Sequence, residues 1–299
     1  MSIALQVALV MVTILVVLLV IGAPIGVAIG MSSAVSMICM IPADVSFATS
    51  AQRIFAGSNS FSLIAIPFFI LAGNIMNNGG IATRLVNCAK VISGRMPGAL
   101  AQSNVVANML FGAISGSGAA AAAAMGGTIG PLEEKEGYDK NYSTAVNVAS
   151  APVGMLIPPS NTMIVYSSVA GSVSIAALFM AGYIPGLLWG GAVMILAGIM
   201  AKKRGYQAEH RVPVKVALKT FWQAIPSLLL IVIVIGGILG GIFTATEGSA
   251  IAVVYATVLS LIYKAFKIKD IPRIVLEAAK TTGIITFMIG LSSIMSWAM

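Results

Sequence analysis

The sequence predicts an all-α polytopic membrane protein, and three observations predict it. Of 299 residues, 59% are hydrophobic and 9% are charged, whereas a soluble domain carries about 25% charged residues. Mean hydropathy is +1.00. The apolar residues fall in runs of about 20, the length that crosses a bilayer, and Lys and Arg collect in the short segments between them. So few charges cannot cover a globule of this size in water, and the lipid bilayer is the expected solvent.

The elements follow in order. Residues 3–41 are apolar throughout and, as one helix, would reach about 58 Å, too long for a single crossing. Gly22 and Pro24 predict a break, giving spans at 3–21 and 23–41. Gly22, Gly26 and Gly30 recur every four residues, a spacing that lets helices approach closely. The long first run without a basic leader predicts a retained helix rather than a cleaved signal peptide. Residues 42–59 are more polar and read as a loop or surface helix. A third span is expected at 61–76, then a basic segment with Arg84, Lys90 and Arg95. Apolar sequence resumes over 99–129, interrupted at Gly112–Gly118. A mixed-charge loop holds Glu133 to Lys140. Residues 143–170 are apolar but broken at Pro158-Pro159, and further spans are expected at 174–200, 222–243, 247–266 and 279–298.

Charge fixes orientation. Lys202, Lys203, Arg204, Arg211, Lys215 and Lys219 mark one cytoplasmic loop; Lys264, Lys267, Lys269 and Arg273 mark another, two spans later. Counting back makes the 133–140 loop cytoplasmic, and the basic 84–95 segment is cytoplasmic by the same rule. A stretch with both flanks on one side cannot cross once. Two full crossings need about 40 apolar residues and only about 30 are available, so 98–130 is expected to form a re-entrant hairpin with its tip at Ser115-Gly116-Ser117-Gly118.

The net charge of +8 raises the question of nucleic acid, but the basic residues sit where topology requires them, and nucleic acid is not expected as a partner. Cys39 and Cys88 form no disulfide framework and read as small buried side chains. His210 falls in a basic loop and reads as solvated. An intramembrane hydrolase would need a nucleophile with a base, and the single His lies in that loop. A channel would need a polar lining or charged rings, which the spans lack. A purely structural scaffold leaves the helix breaks without a purpose.

Those breaks carry the functional argument. A proline pair removes backbone donors and unwinds a helix locally, and irregular backbone at membrane depth is tolerated only inside protein or along a water-filled cavity. Unwound carbonyls bind cations, and a half-helix N-terminus attracts anions. Ser115, Ser117, Ser160, Asn161 and Thr162 add neutral oxygens of the kind hard cations prefer. Proton-coupled transporters usually keep ionisable groups at depth, and the expected spans hold almost none, so sodium fits better than protons. Glu247 beside Thr244 and Thr246 reads as a helix N-terminal cap.

The Gly112–Gly118 tip, the Ala119–Ala124 run, the Gly126-Gly127-Thr128-Ile129-Gly130-Pro131 exit, the Ile157-Pro158-Pro159-Ser160 break and the earlier Ala65–Gly73 run together resemble the large membrane (M) subunit of TRAP transporters, over the whole chain. The resemblance implies an inverted-repeat, elevator-type fold and a sodium-driven importer in the bacterial inner membrane. It implies a small four-helix membrane subunit (Q) and a periplasmic substrate-binding protein (P) as partners, Na+ as coupling ion with no organic cofactor, and organic-acid substrates, with sialic acid (N-acetylneuraminate) favoured and C4-dicarboxylates next. By position, Ser103 and Ser115–Gly118 contribute from the hairpin, with Ser103, Ser115 and Ser117 as sodium ligands. Val153 and Gly154, with Pro158, Pro159, Ser160, Asn161 and Thr162, contribute from the broken helix; Ser292, Ser293 and Ser296 line the centre from the second half. The implied organisation is scaffold and arm over 1–97, hairpin and broken helix over 98–170, a span and basic loop over 171–220, and the start of a second inverted repeat over 221–299. By that count residue 299 precedes the second hairpin, and the sequence is expected to be truncated relative to a working transporter. A sodium–carboxylate symporter without a binding protein is the alternative.

Overall fold

A computed structural model describes residues 3–171, 173–206 and 213–299. His210 and Arg211, read above as loop residues, lie outside the described residues. The described chain is helical throughout, with no strand among those residues. The helices are α1 (Ile3–Val20), α2 (Ile25–Met37), α3 (Ala43–Ser58), α4 (Ala65–Asn78), preceded by a 3-10 turn at Phe61–Ile64, α5 (Ile81–Ser93), α6 (Ala99–Ser115), α7 (Gly118–Thr128), α8 (Gly130–Lys135), α9 (Lys140–Ser150), α10 (Val153–Leu156), α11 (Asn161–Ala170), α12 (Ile175–Lys203), α13 (Val214–Leu239), α14 (Ala245–Ile262) and α15 (Ile271–Ala298). Among the described residues, five stretches are long and apolar enough to cross a bilayer: Phe61–Asn78, Ile175–Lys203, Lys215–Leu239, Ala245–Ile262 and Ile271–Ala298. The pair Lys140–Leu156 and Asn161–Ala170, bent by 51°, is long and apolar enough to count as a sixth when taken as one broken span.

Several expected boundaries move. The break between α1 and α2 sits where Gly22, at φ 89°, and Pro24 place it. α2 has 13 residues, about 20 Å, well short of a 30 Å hydrocarbon core, so the expected second span is not full length. α13 begins eight residues before the expected 222 and ends at Gly240 and Gly241, the latter at φ 68°. α15 likewise begins at Ile271, not 279. In both, composition marks the membrane portion, while the charged first turns continue the helix beyond it. Cys39 is exposed rather than buried, because α2 ends at Met37.

The chain divides into two compact units, Met1–Ile64 with Ala279–Met299, and Ala65–Ala278. In the first, Met37, Leu291, Ile294 and Ala298 form a buried apolar cluster. Gly26 and Gly30 face Met288 and Leu291 of α15; a Cβ at Gly30 would lie 2.5 Å from Leu291 Cδ2. Gly22 belongs to the turn instead of this packing stripe, with open space around it. Arg53 stacks over the Trp297 ring at 5.6 Å.

The second unit holds the hairpin. α6 has 17 residues and α7 has 11, about 25 Å and 16 Å long, so the two legs do not make two crossings. Gly98 at φ 68° opens α6, and Gly116 at φ 62° closes it. α6 lies against α5, α7, α9, α10 and α12. Its contact with α10 is backbone on backbone: a Cβ at Gly112 would sit 2.6 Å from the Gly154 Cα, and one at Gly154 would meet the Gly112 backbone still more closely. Tyr142 donates to Ala197 O (2.8 Å) and Gln102 to Met194 O (2.8 Å), pinning α9 and α6 to α12. On the charged side, Arg204 pairs with Asp139 at 3.0 Å, and Tyr206 stacks on Tyr138 with centroids 4.3 Å apart. The outward faces of α12 and α13 expose Ile184, Leu188, Ile195 and Val232, as lipid contact requires.

The glycine contact generates a test. Gly112→Ala is expected to lower stability by about 1–3 kcal/mol, read as the thermal midpoint in detergent. Gly191→Ala on α12, where the added carbon meets nothing within 4 Å, is expected to leave the midpoint unchanged.

Candidate functional site

The tip of the hairpin and the break of the second helix meet. α6 ends when Gly116 enters the left-handed region, its N–H still donating to Gly112 O at 2.8 Å. Ser117 takes an extended conformation and caps α7 by accepting from Ala120 N at 3.2 Å. The chain therefore reverses over two residues, and Ser115, at 7% exposure, leaves its carbonyl at a helix end inside the protein.

The facing element is α9–α10–α11. Ala151 and Pro152 both stay in the right-handed helical region, so α9 runs on into α10 as one piece, Lys140–Leu156, up to the expected break. α10 ends at Ile157, the Pro158-Pro159 peptide bond is cis, and α11 begins at Asn161. Ser160 occupies the N-cap position of α11 but does not cap it; its hydroxyl donates back to Met155 O instead. The first N–H groups of α11 thus keep no side-chain acceptor, and the positive end of its dipole stays uncapped.

Asn161 joins the two elements. Its Nδ2 donates to Ser115 O at 3.3 Å, across 46 residues of sequence. A Cβ at Gly116 would lie 2.6 Å from that nitrogen, so only glycine fits there. Asn161 is 6% exposed, and its Oδ1 has no hydrogen-bond partner. An orphaned buried oxygen is costly, and here it stands beside the Ser115 carbonyl at two interrupted helices. That donor set, a neutral amide oxygen and freed carbonyls, suits a small hard cation.

The remaining expected residues divide. Gly118, Val153 and Gly154 are buried packing positions: Gly118 faces Ala151 O and Met155, while Val153 packs toward Gly190 of α12. Pro158, Pro159 and Ser160 are buried at the break and Thr162 is exposed. Ser103 lies 12 positions before Ser115, about 18 Å along α6. Its hydroxyl is taken up by Ala99 O (2.7 Å) and Ser93 Oγ (2.8 Å), so the structure places it in the α5–α6 contact and not at the tip. Ser292, Ser293 and Ser296 belong to the other compact unit. There, Ser292 and Ser293 donate to Ile289 O within α15, and Ser296 is exposed. Glu247 forms the expected cap, a full capping box with Thr244.

Two polar groups escaped the sequence reading. Asn108, fully buried, has Ser150 Oγ (2.8 Å), Asn147 Oδ1 (3.0 Å) and Asn104 Oδ1 (3.0 Å) within hydrogen-bond reach of its two Nδ2 hydrogens, while Asn147 Nδ2 donates to Ala122 O (2.8 Å). This network ties both hairpin legs to α9. Asn104 and Asn108, four apart on an apolar helix, were the available signal. The second is Glu133 on α8, expected in a loop but 1% exposed. Burial pushes its carboxyl up to about 6 from the usual 4.5, with neighbouring Ser143 and Asn104 restraining the rise.

The sequence profile of the tripartite ATP-independent periplasmic transporter DctM component matches residues 12–299. YgiK of Salmonella typhimurium is 51% identical over 268 residues, covering 90% of this chain and 62% of that protein. The isethionate TRAP transporter permease DctMQ of Oleidesulfovibrio alaskensis is 40% identical over 249 residues, 82% of this chain and 39% of its own length. The sialic acid TRAP transporter large permease SiaM of Vibrio cholerae is 37% identical over 253 residues, with coverages of 83% and 58%. The chain therefore spans about 60% of the length of relatives such as YgiK and SiaM.

Gly116→Ala is expected to cost about 1–3 kcal/mol through the left-handed backbone and the Asn161 contact, seen as a lower thermal midpoint. For Glu133 the folded state holds its proton to higher pH than the unfolded chain. Between pH 4.5 and about 6 the folded state binds more protons, so stability falls as pH rises through that window and levels off above it. Glu133→Gln is expected to remove this decline from the midpoint-versus-pH curve; superimposable curves for the two proteins contradict the assignment.

Proposed function

The chain belongs to the DctM component family of the tripartite ATP-independent periplasmic transporters, and we propose that it forms the transport path of a sodium-coupled importer of organic acids in the bacterial inner membrane. The observation that carries this reading is the junction of Asn161 with Ser115, where an unpartnered buried oxygen adjoins two interrupted helices. Na+ is held there by Asn161 Oδ1 and by carbonyl and hydroxyl oxygens of Ser115 and the 157–160 break. The substrate carboxylate is met by the uncapped N-terminus of α11, because Ser160 turns its hydroxyl away from it. One site thus offers cation ligands and an anion-facing dipole side by side, which is what coupling a cation to an organic anion requires.

The working transporter includes a small four-helix membrane subunit and a periplasmic binding protein that delivers substrate. The name of the isethionate relative, a permease DctMQ, supports a membrane partner of the Q type. Access alternates by an elevator movement of the hairpin-bearing part, on the pattern of two inverted repeats. Sialic acid is the favoured substrate and a C4-dicarboxylate the next. The relatives named for isethionate and sialic acid stand at 40% and 37% identity, so identity alone does not choose among acids; their shared feature is the anionic group.

The test is uptake of labelled N-acetylneuraminate and of succinate by the complete assembled system in proteoliposomes, with sodium replaced by choline as control. Uptake of one acid is expected only with an inward sodium gradient. Asn161→Ala is expected to lower it about tenfold or more and to raise the sodium concentration for half-maximal rate. Sodium-independent uptake, or an unaltered sodium dependence in Asn161→Ala, contradicts the proposal.

A further inference from the structure

A cavity of about 310 Å³ lies beside α8, lined by Asn104 of α6, Pro131, Glu133 and Glu134 of α8, and Ser143 and Asn147 of α9, with Tyr138 and Lys140 also at its wall. Its interest lies in what is left unsatisfied. Neither carboxylate oxygen of Glu133 makes a hydrogen bond of ordinary geometry, nor do Ser143 Oγ and Asn104 Nδ2; these two neutral donors stand close enough to temper the carboxylate but bring no positive charge to balance it. Glu133 is 1% exposed, Asn104 0% and Ser143 8%. A carboxylate withdrawn from water is strongly destabilising unless a positive charge or good donors compensate it. Among the described residues no Lys or Arg forms an ion pair with it; Lys140 and Glu134 at the wall are both exposed.

We propose that Glu133, with Ser143, is a binding site for a small monovalent inorganic cation, separate from the hairpin tip. One buried carboxylate balances one positive charge, so a monovalent ion fits where a divalent ion leaves an uncompensated excess. The ligands on offer are hard oxygens: the two of Glu133, the Ser143 hydroxyl, and waters in a cavity large enough to keep the ion partly hydrated. The site stands at the junction of the second hairpin leg with the start of the broken helix, because Glu133 rides on α8 between α7 and α9. An ion held here fastens α8 to α9 at the base of the hairpin, while the Asn108 network fastens the legs above. This site does not depend on the proposed sodium centre at Asn161: Asn161 and Glu133 lie at opposite ends of the α9–α10 segment.

The test is the thermal midpoint of the purified protein in detergent at pH 8, titrated with NaCl and with KCl against choline chloride at equal ionic strength. The wild type is expected to be stabilised by at least one of the two cations, and Glu133→Gln to need about tenfold or more higher concentration for the same shift. Ser143→Ala keeps the carboxylate and removes one oxygen, so a several-fold weakening is expected; this variant decides the matter should Glu133→Gln fail to fold. Asn161→Ala separates the two centres, since the Glu133-dependent shift is expected to survive in it. Wild-type titration curves in Ser143→Ala and in any folded Glu133→Gln overturn the proposal, as does complete loss of the cation response in Asn161→Ala, which assigns the effect to the tip alone.

Discussion

The structure depends on one constraint: backbone that leaves the helix inside an apolar protein must find partners nearby. An unpaired carbonyl or N–H in hydrocarbon costs several kcal/mol. At the tip of the α6–α7 hairpin that demand is met from the broken helix, by Asn161 Nδ2 on Ser115 O. The broken helix supplies the donor that the hairpin carbonyl lacks, and glycine at 112, 116 and 154 lets the backbones come close enough for this to happen. What remains unpaired, the Asn161 Oδ1 and the first N–H groups of α11, is the part available to a solute.

The same constraint explains the hairpin's supports. A helix leg of 11 residues does not reach across a bilayer, so its polar ends must be held by protein. Asn147 accepts this role for α7 through Ala122 O, and Asn108 for α6 through Ser150 and Asn147. At the base, the chain keeps charge at the water side: the Arg204–Asp139 pair and the Tyr138–Tyr206 stack join the C-terminal end of α12 to the α8–α9 turn. Glu133 departs from this economy by going inside, and its unpaired oxygens suggest that something other than protein completes it.

Much of this was legible in the sequence because the strongest signals are physical ones. Apolar run length and loop charge gave the hairpin, since two basic flanks leave no other course for about 30 residues. Gly22-Pro24 and Pro158-Pro159 marked breaks through lost donors and special dihedrals. Helix ends were less legible: the first turns of α13 and α15 are charged but helical, and nothing in composition separates a solvated helical turn from a loop. Residue type alone says little of Ser103, which the resemblance singles out by position: its hydroxyl bonds to its own helix and to Ser93, and a serine in an apolar helix satisfies itself as readily as it binds a ligand. Glu133 was hidden for the opposite reason, because its neighbours Glu134, Lys135 and Glu136 made the whole segment read as solvated.

The central claim is that two interrupted helices form one cation centre, and the most direct measurement is a high-resolution cryo-electron microscopy map of the protein in lipid nanodiscs, recorded in sodium and again in choline. The account expects density between Ser115 and Asn161 in sodium that disappears in choline, with residues 98–130 entering and leaving the bilayer on one side. A hairpin tip lying at the water interface, or a junction whose density is the same in both salts, contradicts it.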